Sequence, residues 1–230
     1  MNGWLLAEKE SLGEAGLLQS NPLTVYKSVP PLRRLMCLAG AVSSHKAALS
    51  AHAANMHHDV QSLVVYGLGS LEVPGIGRTA RYQLALALLL REQLAPACAP
   101  TQLYDPVFTE IDIKVLDALG CKVMDTNEDG RLQLMGRTLL YMPHCGQELT
   151  NNVLDAHWST LQDLAILGNS FQAYAELWSS ADYARRHANK PPKRMLGASS
   201  SGRAVELPID EGGFSVVSAF NNTSLHMFPG

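Results

Sequence analysis

No run of apolar residues in this chain is long enough to cross a membrane. The longest, Leu84 to Leu90, is LALALLL, far short of the roughly 18 residues a span needs. The first sixteen residues, MNGWLLAEKESLGEAG, carry acids where a secretory leader has a basic start and a longer apolar centre. Both absences predict an intracellular protein. Cysteine is scarce. Cys37, Cys98, Cys121 and Cys145 form no CxxC pair and no framework spacing, so reduced thiols are expected. The acceptor-like triplets at Asn221 and Asn222 are then chance matches.

Charge of either sign is modest. Charged residues make up 17% of the 230 and the net charge is -3. Neither direct nucleic-acid binding nor a membrane surface is predicted, although a local basic patch is compatible with that balance. Several signatures are also missing. Nothing matches GxxxxGK[ST] or GxSxG, which sets aside a P-loop and a serine-hydrolase elbow. His52, His57, His58 and Asp59 cluster without the spacing of a compact metal site, and no metal is expected.

What is present is ample apolar mass, 47% of the chain, in a regular alternation. Residues 1–30 are punctuated by prolines. Residues 31–58 suit a helix through Leu32, Leu35, Met36, Leu38, Ala39 and Val42. Short apolar runs at 63–66, 102–105, 121–124, 138–142 and 164–167 read as strands. Stretches 79–93, 109–119, 147–158 and 171–187 read as helices. Asp129-Gly130 marks a hairpin or a tight loop. This alternation predicts an α/β fold, a Rossmann-like three-layer sandwich with a mostly parallel, doubly wound sheet in the order 3-2-1-4-5. Residues 1–59 form an extension. Residues 60–230 form the domain, with its core at 60–174. Residues 189–203 read as an exposed Pro/Ser/Gly-rich loop, and the strand-like pieces after it add an edge to the sheet.

In such a sheet, ligands bind where strands end and neighbouring crossovers diverge. The residues just past the strands are therefore the candidates. Gly67, Gly69 and Ser70 follow the first strand. Two glycines there let backbone amides approach a phosphate or cofactor, but Glu72 stands where GxGxxG needs its third glycine, so a plain tight turn is the competing reading. Arg81, at the start of the next helix, can meet an anion or face solvent. Asp105 and Pro106 end the second strand, where an acid accepts from ribose hydroxyls or caps a turn. His144 and Cys145 follow the fourth. His144 is the one candidate acid or base. Cys145 is a candidate soft ligand, with a buried thiol preferred, and adjacent residues on an extended chain point apart. Asn169 and Ser170 close the fifth strand and bind a ligand or cap a helix.

Taken in order, VVYGLGSL, RYQLALALLL, YDPVFTEIDIKVLDALGCKVM, TLLYMPHCGQELTNNVL, LAILGNSFQAY and AFNNTSLHMFP resemble the "sensitivity to red light reduced"-like (SRR-like) family over about Val64 to Phe228. The resemblance carries over at Gly67, Gly69, Ser70, Arg81, Tyr82, Gln83, Asp105, Pro106, Pro143, His144, Cys145, Gly146, Asn151, Asn152, Gly168, Asn169 and Ser170. It implies a cytoplasmic or nuclear protein tied to clock and light signalling in plants. In animals it implies clock-gene expression and control of haem biosynthesis, and in yeast microtubule-related phenotypes. It brings no agreed reaction. Three readings follow: a regulatory protein with a small-molecule pocket at the strand ends; an enzyme using S-adenosylmethionine or NAD; and a haem-responsive or protein-partner-binding module.

Overall fold

The computed structural model describes residues 60–72, 76–94, 101–134, 136–210 and 216–229. The N-terminal readings, the helix at 31–58 and the histidine cluster included, lie outside them. Five strands run parallel: β1 (Ser62–Tyr66), β2 (Thr101–Tyr104), β3 (Cys121–Val123), β4 (Thr138–Met142) and β5 (Leu164–Asn169). Two more, β6 (Val205–Pro208) and β7 (Thr223–Met227), are antiparallel. The sheet order is β3-β2-β1-β4-β5-β7-β6. The predicted 3-2-1-4-5 order and the added edge are both present.

The central strands are short, apolar and almost wholly buried, as strands covered on both faces must be. Val64 and Val65 of β1 and the whole of β4 are buried. Side chains alternate between two cores. Leu63, Val65, Leu139, Tyr141, Ala165 and Leu167 enter the first, under α1 (Ile76–Leu94) and α2 (Glu110–Ala118). Val64, Tyr66, Leu140, Met142 and Ile166 enter the second, under α3 (Gln147–Ala156) and α4 (Phe171–Ser179). The chain leaves β1 toward one face and β4 toward the other, so the switch point lies between those two strands.

Local chemistry sets the helix starts. Thr109 and Asp112 form a reciprocal capping box on α2, the arrangement that satisfies two orphan amides at once. Ser170 caps α4 by accepting from the Ala173 amide. The predicted single helix over 171–187 is two. Ser180 ends α4 and caps α5 (Ala181–Arg186), accepting from the Tyr183 amide. Asp129 and Gly130 both take positive φ, 47° and 78°, in a tight loop. No hairpin forms there, because β3 pairs with β2 and β4 with β1.

The exposed-loop reading of 189–203 is corrected over most of its length. Residues Lys193–Ser200 form helix α6. Pro191 and Pro192 precede it, a position where their missing amide donors cost nothing. Met195 and Ala198, three residues apart, are fully buried in the second core. Burying a Met side chain contributes roughly 1.5–3 kcal/mol, enough to override the loop-like composition. Ser201, Gly202 and Arg203 do remain exposed.

Candidate functional site

The turn after β1 is built from two glycines in left-handed conformation, Gly67 at φ 74° and Gly69 at φ 75°. The Gly67 amide donates to the Tyr104 carbonyl at 3.3 Å. A side chain at Gly67 would put its Cβ 2.5 Å from Cys145 Sγ, so the glycine serves close approach between the β1 and β4 loops as well as the turn. Gly69 is different. Its amide donates to Asp105 Oδ2 at 2.7 Å, and no atom lies within 4 Å of where its Cβ would stand. The other carboxylate oxygen, Oδ1, accepts from the Val107 amide at 3.0 Å. Asp105 therefore welds the β1 turn to the end of β2, and Pro106 lies exposed in the turn beyond.

A second acid does the same work deeper. Asp112 is fully buried. It accepts from the Leu71 amide at 2.9 Å and from the Thr109 amide at 3.0 Å. It lies outside the strand-end positions that supplied the candidates, and its cue in the sequence is the T-x-x-D spacing of a capping box. Arg81 donates to the Leu71 carbonyl at 2.8 Å, and the Ser70 hydroxyl accepts from the Glu72 amide at 3.2 Å. Arg81 and Ser70 thus hold the loop from within.

At the end of β4 the neighbours His144 and Cys145 part company. His144 is exposed, takes φ 54°, and its Nε2 meets the Ser218 carbonyl at 2.8 Å. Ser218 belongs to a short 3-10 turn, Val217–Ala219, packed on α1, where Gln83 also donates to the Ala219 carbonyl at 3.0 Å. Cys145 turns inward. Its thiol donates to the Tyr66 carbonyl at 3.4 Å. Burial, reinforced by the Asp105 charge, pushes that thiol up to about 12, so it stays protonated at neutral pH and is a poor nucleophile. Asn169 joins the same knot, donating to the Cys145 carbonyl at 3.0 Å and contacting the Tyr174 hydroxyl at 3.2 Å. Gly146 opens α3 without a side-chain cap and, like Gly69, has open space where a Cβ would be.

The structure thus brings Gly67, Cys145 and Asn169 together through direct contacts and ties Gly69 to Asp105. His144 reaches the opposite way, to the 217–219 turn, and Ser170 caps its helix and bonds to Glu206.

Beyond β5 lies a buried group that strand-end reasoning did not name. His226 of β7 stacks on Phe171, with ring centroids 3.7 Å apart. The Phe171 amide donates to its Nε2 at 3.4 Å, and Nδ1 meets the Ile166 carbonyl at 3.2 Å. Glu206 of β6 stands 3.7 Å from His226 and accepts from the Gln172 amide at 2.9 Å. Burial would push the Glu206 carboxyl up. Its pairing with His226 and the bonds from Ser170 and the Gln172 amide outweigh that and hold it down at about 2. A carboxylate at the first turn of α4 also suits the helix dipole. Among the described residues, no three His, Cys, Asp or Glu side chains converge as a metal site, and no helix is long and apolar enough to cross a membrane.

Comparison with known proteins agrees with this frame. A family model described as the SRR1 domain matches residues 38–227, beginning upstream of the motifs that start at Val64. Protein SENSITIVITY TO RED LIGHT REDUCED 1 of Arabidopsis thaliana is 32% identical over 170 residues, 72% of this chain and 58% of that protein. An SRR1-like protein of Mus musculus is 41% identical over 117 residues, 49% of this chain and 45% of its own length. An SRR1-like protein of Drosophila melanogaster is 25% identical over 128 residues, 55% of this chain and 42% of its own. The chain spans about half the length of the curated relatives it matches.

Proposed function

Because this chain belongs to the SRR1 domain family, we propose that it is a regulatory protein of light- or clock-dependent signalling. In this reading it senses a small molecule at the carboxyl ends of β1, β2 and β4 without turning it over. The Arabidopsis relative is named for red-light sensitivity, which supports the signalling half. One observation carries the other half: the strand-end groups that would do chemistry are spent on the polypeptide. Both Asp105 oxygens accept from backbone amides, and the Cys145 thiol is bonded and protonated. A general base or nucleophile needs a free atom within reach of substrate. The open positions at Gly69 and Gly146 leave room for a ligand to lie against backbone, as a sensing site requires.

The test is a thermal-shift screen of the full chain against S-adenosylmethionine, S-adenosylhomocysteine, NAD, NADP, ATP and haemin. Haemin is included because the family resemblance implies a part in haem biosynthesis control. A ligand at about 100 times its dissociation constant adds roughly 2.7 kcal/mol, and is expected back unchanged by mass spectrometry. Steady conversion of ligand to product would overturn the reading.

One observation favours a second reading, an enzyme using S-adenosylmethionine or a dinucleotide. His144 stands exposed at the end of β4 in a left-handed conformation, and backbone strain of that kind gathers at working sites. Product formation abolished by His144→Ala would establish it. The expected compartments are cytoplasm and nucleus, which imaging of the tagged full chain tests.

A further inference from the structure

The chain is acidic overall, yet its cations are not evenly spread. Residues 181–203 contain six of its 18 Lys and Arg and one acid, Asp182. Several of these are matched locally: Arg185 with Asp182, Lys190 with Glu148, Arg194 with Asp155. Lys193 and Arg203 have no carboxylate partner among the described residues. Both border a concavity of about 850 Å³ between α3 and α6, within the range of small-ligand clefts.

The floor of this concavity is held in place. The Arg194 guanidinium carbon lies 4.5 Å from the centroid of the Trp158 ring and that of Arg203 4.7 Å. Arg194 is fixed further by Asp155, which accepts from its Nε at 2.7 Å, and by Asn151, which accepts from its backbone amide at 2.8 Å. Two guanidinium groups on one ring repel each other, and cation–π attraction offsets only part of that. An anion held in the concavity that both residues line would offset that repulsion.

We propose that the concavity between α3 and α6 binds a phosphomonoester, received by the guanidinium groups of Arg203 and Arg194 and the ammonium of Lys193. Three cations and the Asp155 carboxylate leave a charge of two, which matches the roughly -1.5 to -2 of a phosphomonoester at neutral pH. Arg203 brings planar donors suited to forked phosphate contacts. Single-stranded nucleic acid is the poorer fit, because it is held by open aromatic faces, and here two cations already stack on the Trp158 ring. The phosphomonoester can come from a phosphorylated polypeptide segment or from a small metabolite, and the chemistry of capture is the same.

Calorimetry on the full chain at fixed ionic strength tests this. The probes are O-phosphoserine, a phosphoserine peptide with its unphosphorylated counterpart, and adenosine 5′-monophosphate. One-to-one binding of the phosphorylated probes is expected, with none by the unphosphorylated peptide. Arg203→Ala should weaken it about tenfold or more, the worth of a charge-assisted hydrogen bond, while Arg203→Lys keeps part of it. Lys193→Ala, at an exposed amine that holds no other group, should weaken it with no change in melting temperature. Tighter binding of the peptide than of O-phosphoserine identifies a polypeptide source, and tighter binding of the nucleotide a metabolite. Absence of binding at millimolar probe, equal binding of the two peptides, or binding unchanged in both alanine variants overturns the proposal.

Discussion

The amide of Gly69 and the carboxylate of Asp105, 2.7 Å apart, join the two loops just beyond the point where the pairing of β1 with β2 ends, at Tyr66 and Tyr104. Asp105→Ala leaves two backbone donors without their acceptor. The expected loss is about 1–3 kcal/mol, read as a lower urea midpoint with unchanged slope. Asp105→Asn keeps one acceptor oxygen and should lose less. Equal melting of wild type and both variants would show the loop held by something else.

Gly67 faces two restrictions, a φ of 74° and the nearness of Cys145 Sγ. Gly67→Ala should cost roughly 1–2 kcal/mol for the left-handed backbone alone, and more for the clash. Cys145→Ala in the same chain removes the clash and leaves the backbone cost. A double-mutant cycle should therefore show the pair to be coupled. Strict additivity would mean that the β1 and β4 loops part to admit the new methyl.

The thiol of Cys145, raised to about 12 chiefly by burial, should be inert in the folded protein. Mass spectrometry after an iodoacetamide pulse at pH 7.5 is expected to find its peptide unmodified in buffer and fully alkylated in urea. Rapid labelling in buffer would make Cys145 a live nucleophile and count against a purely structural thiol.

Glu206 links folding to acid. Its folded carboxyl sits at about 2, below the ordinary 4.5, so its contribution is fully present above pH 4.5 and drains away as pH falls toward 2. Glu206→Gln should flatten the fall in stability over that window in denaturant titrations at stepped pH. A variant as acid-sensitive as the wild type would assign that fall to other carboxylates.

The sheet is largely legible in the sequence, because the signals for it are local. Runs such as LVVY and LAIL, each closed by glycine, can hardly be anything but buried strands, and parallel connection rules then order them. Helix α6 was not, because Pro191, Pro192 and Ser199 to Ser201 argue for a loop within the segment, while the burial of Met195 and Ala198 is conferred from outside it. The site divides the same way. Strand-end positions follow from topology, so Gly67, Asp105, Cys145 and Asn169 could be named. What those groups bond to depends on which loops meet, and that placed Asp105 on amides and His144 on the Ser218 carbonyl. Glu206 and His226 stayed hidden because β6 and β7 were read only as an edge, with no cue that their side chains would close over the start of α4.

The order of the last two strands has a consequence for synthesis. β6 is made first but lies outside β7, and all of its sheet pairing is to β7. Until residues 223–227 leave the ribosome, β5 presents a bare edge and β6 has nowhere to dock. A nascent chain paused in that interval exposes an unpaired strand to its neighbours, so the gap between the synthesis of β6 and that of β7 is an aggregation-prone one.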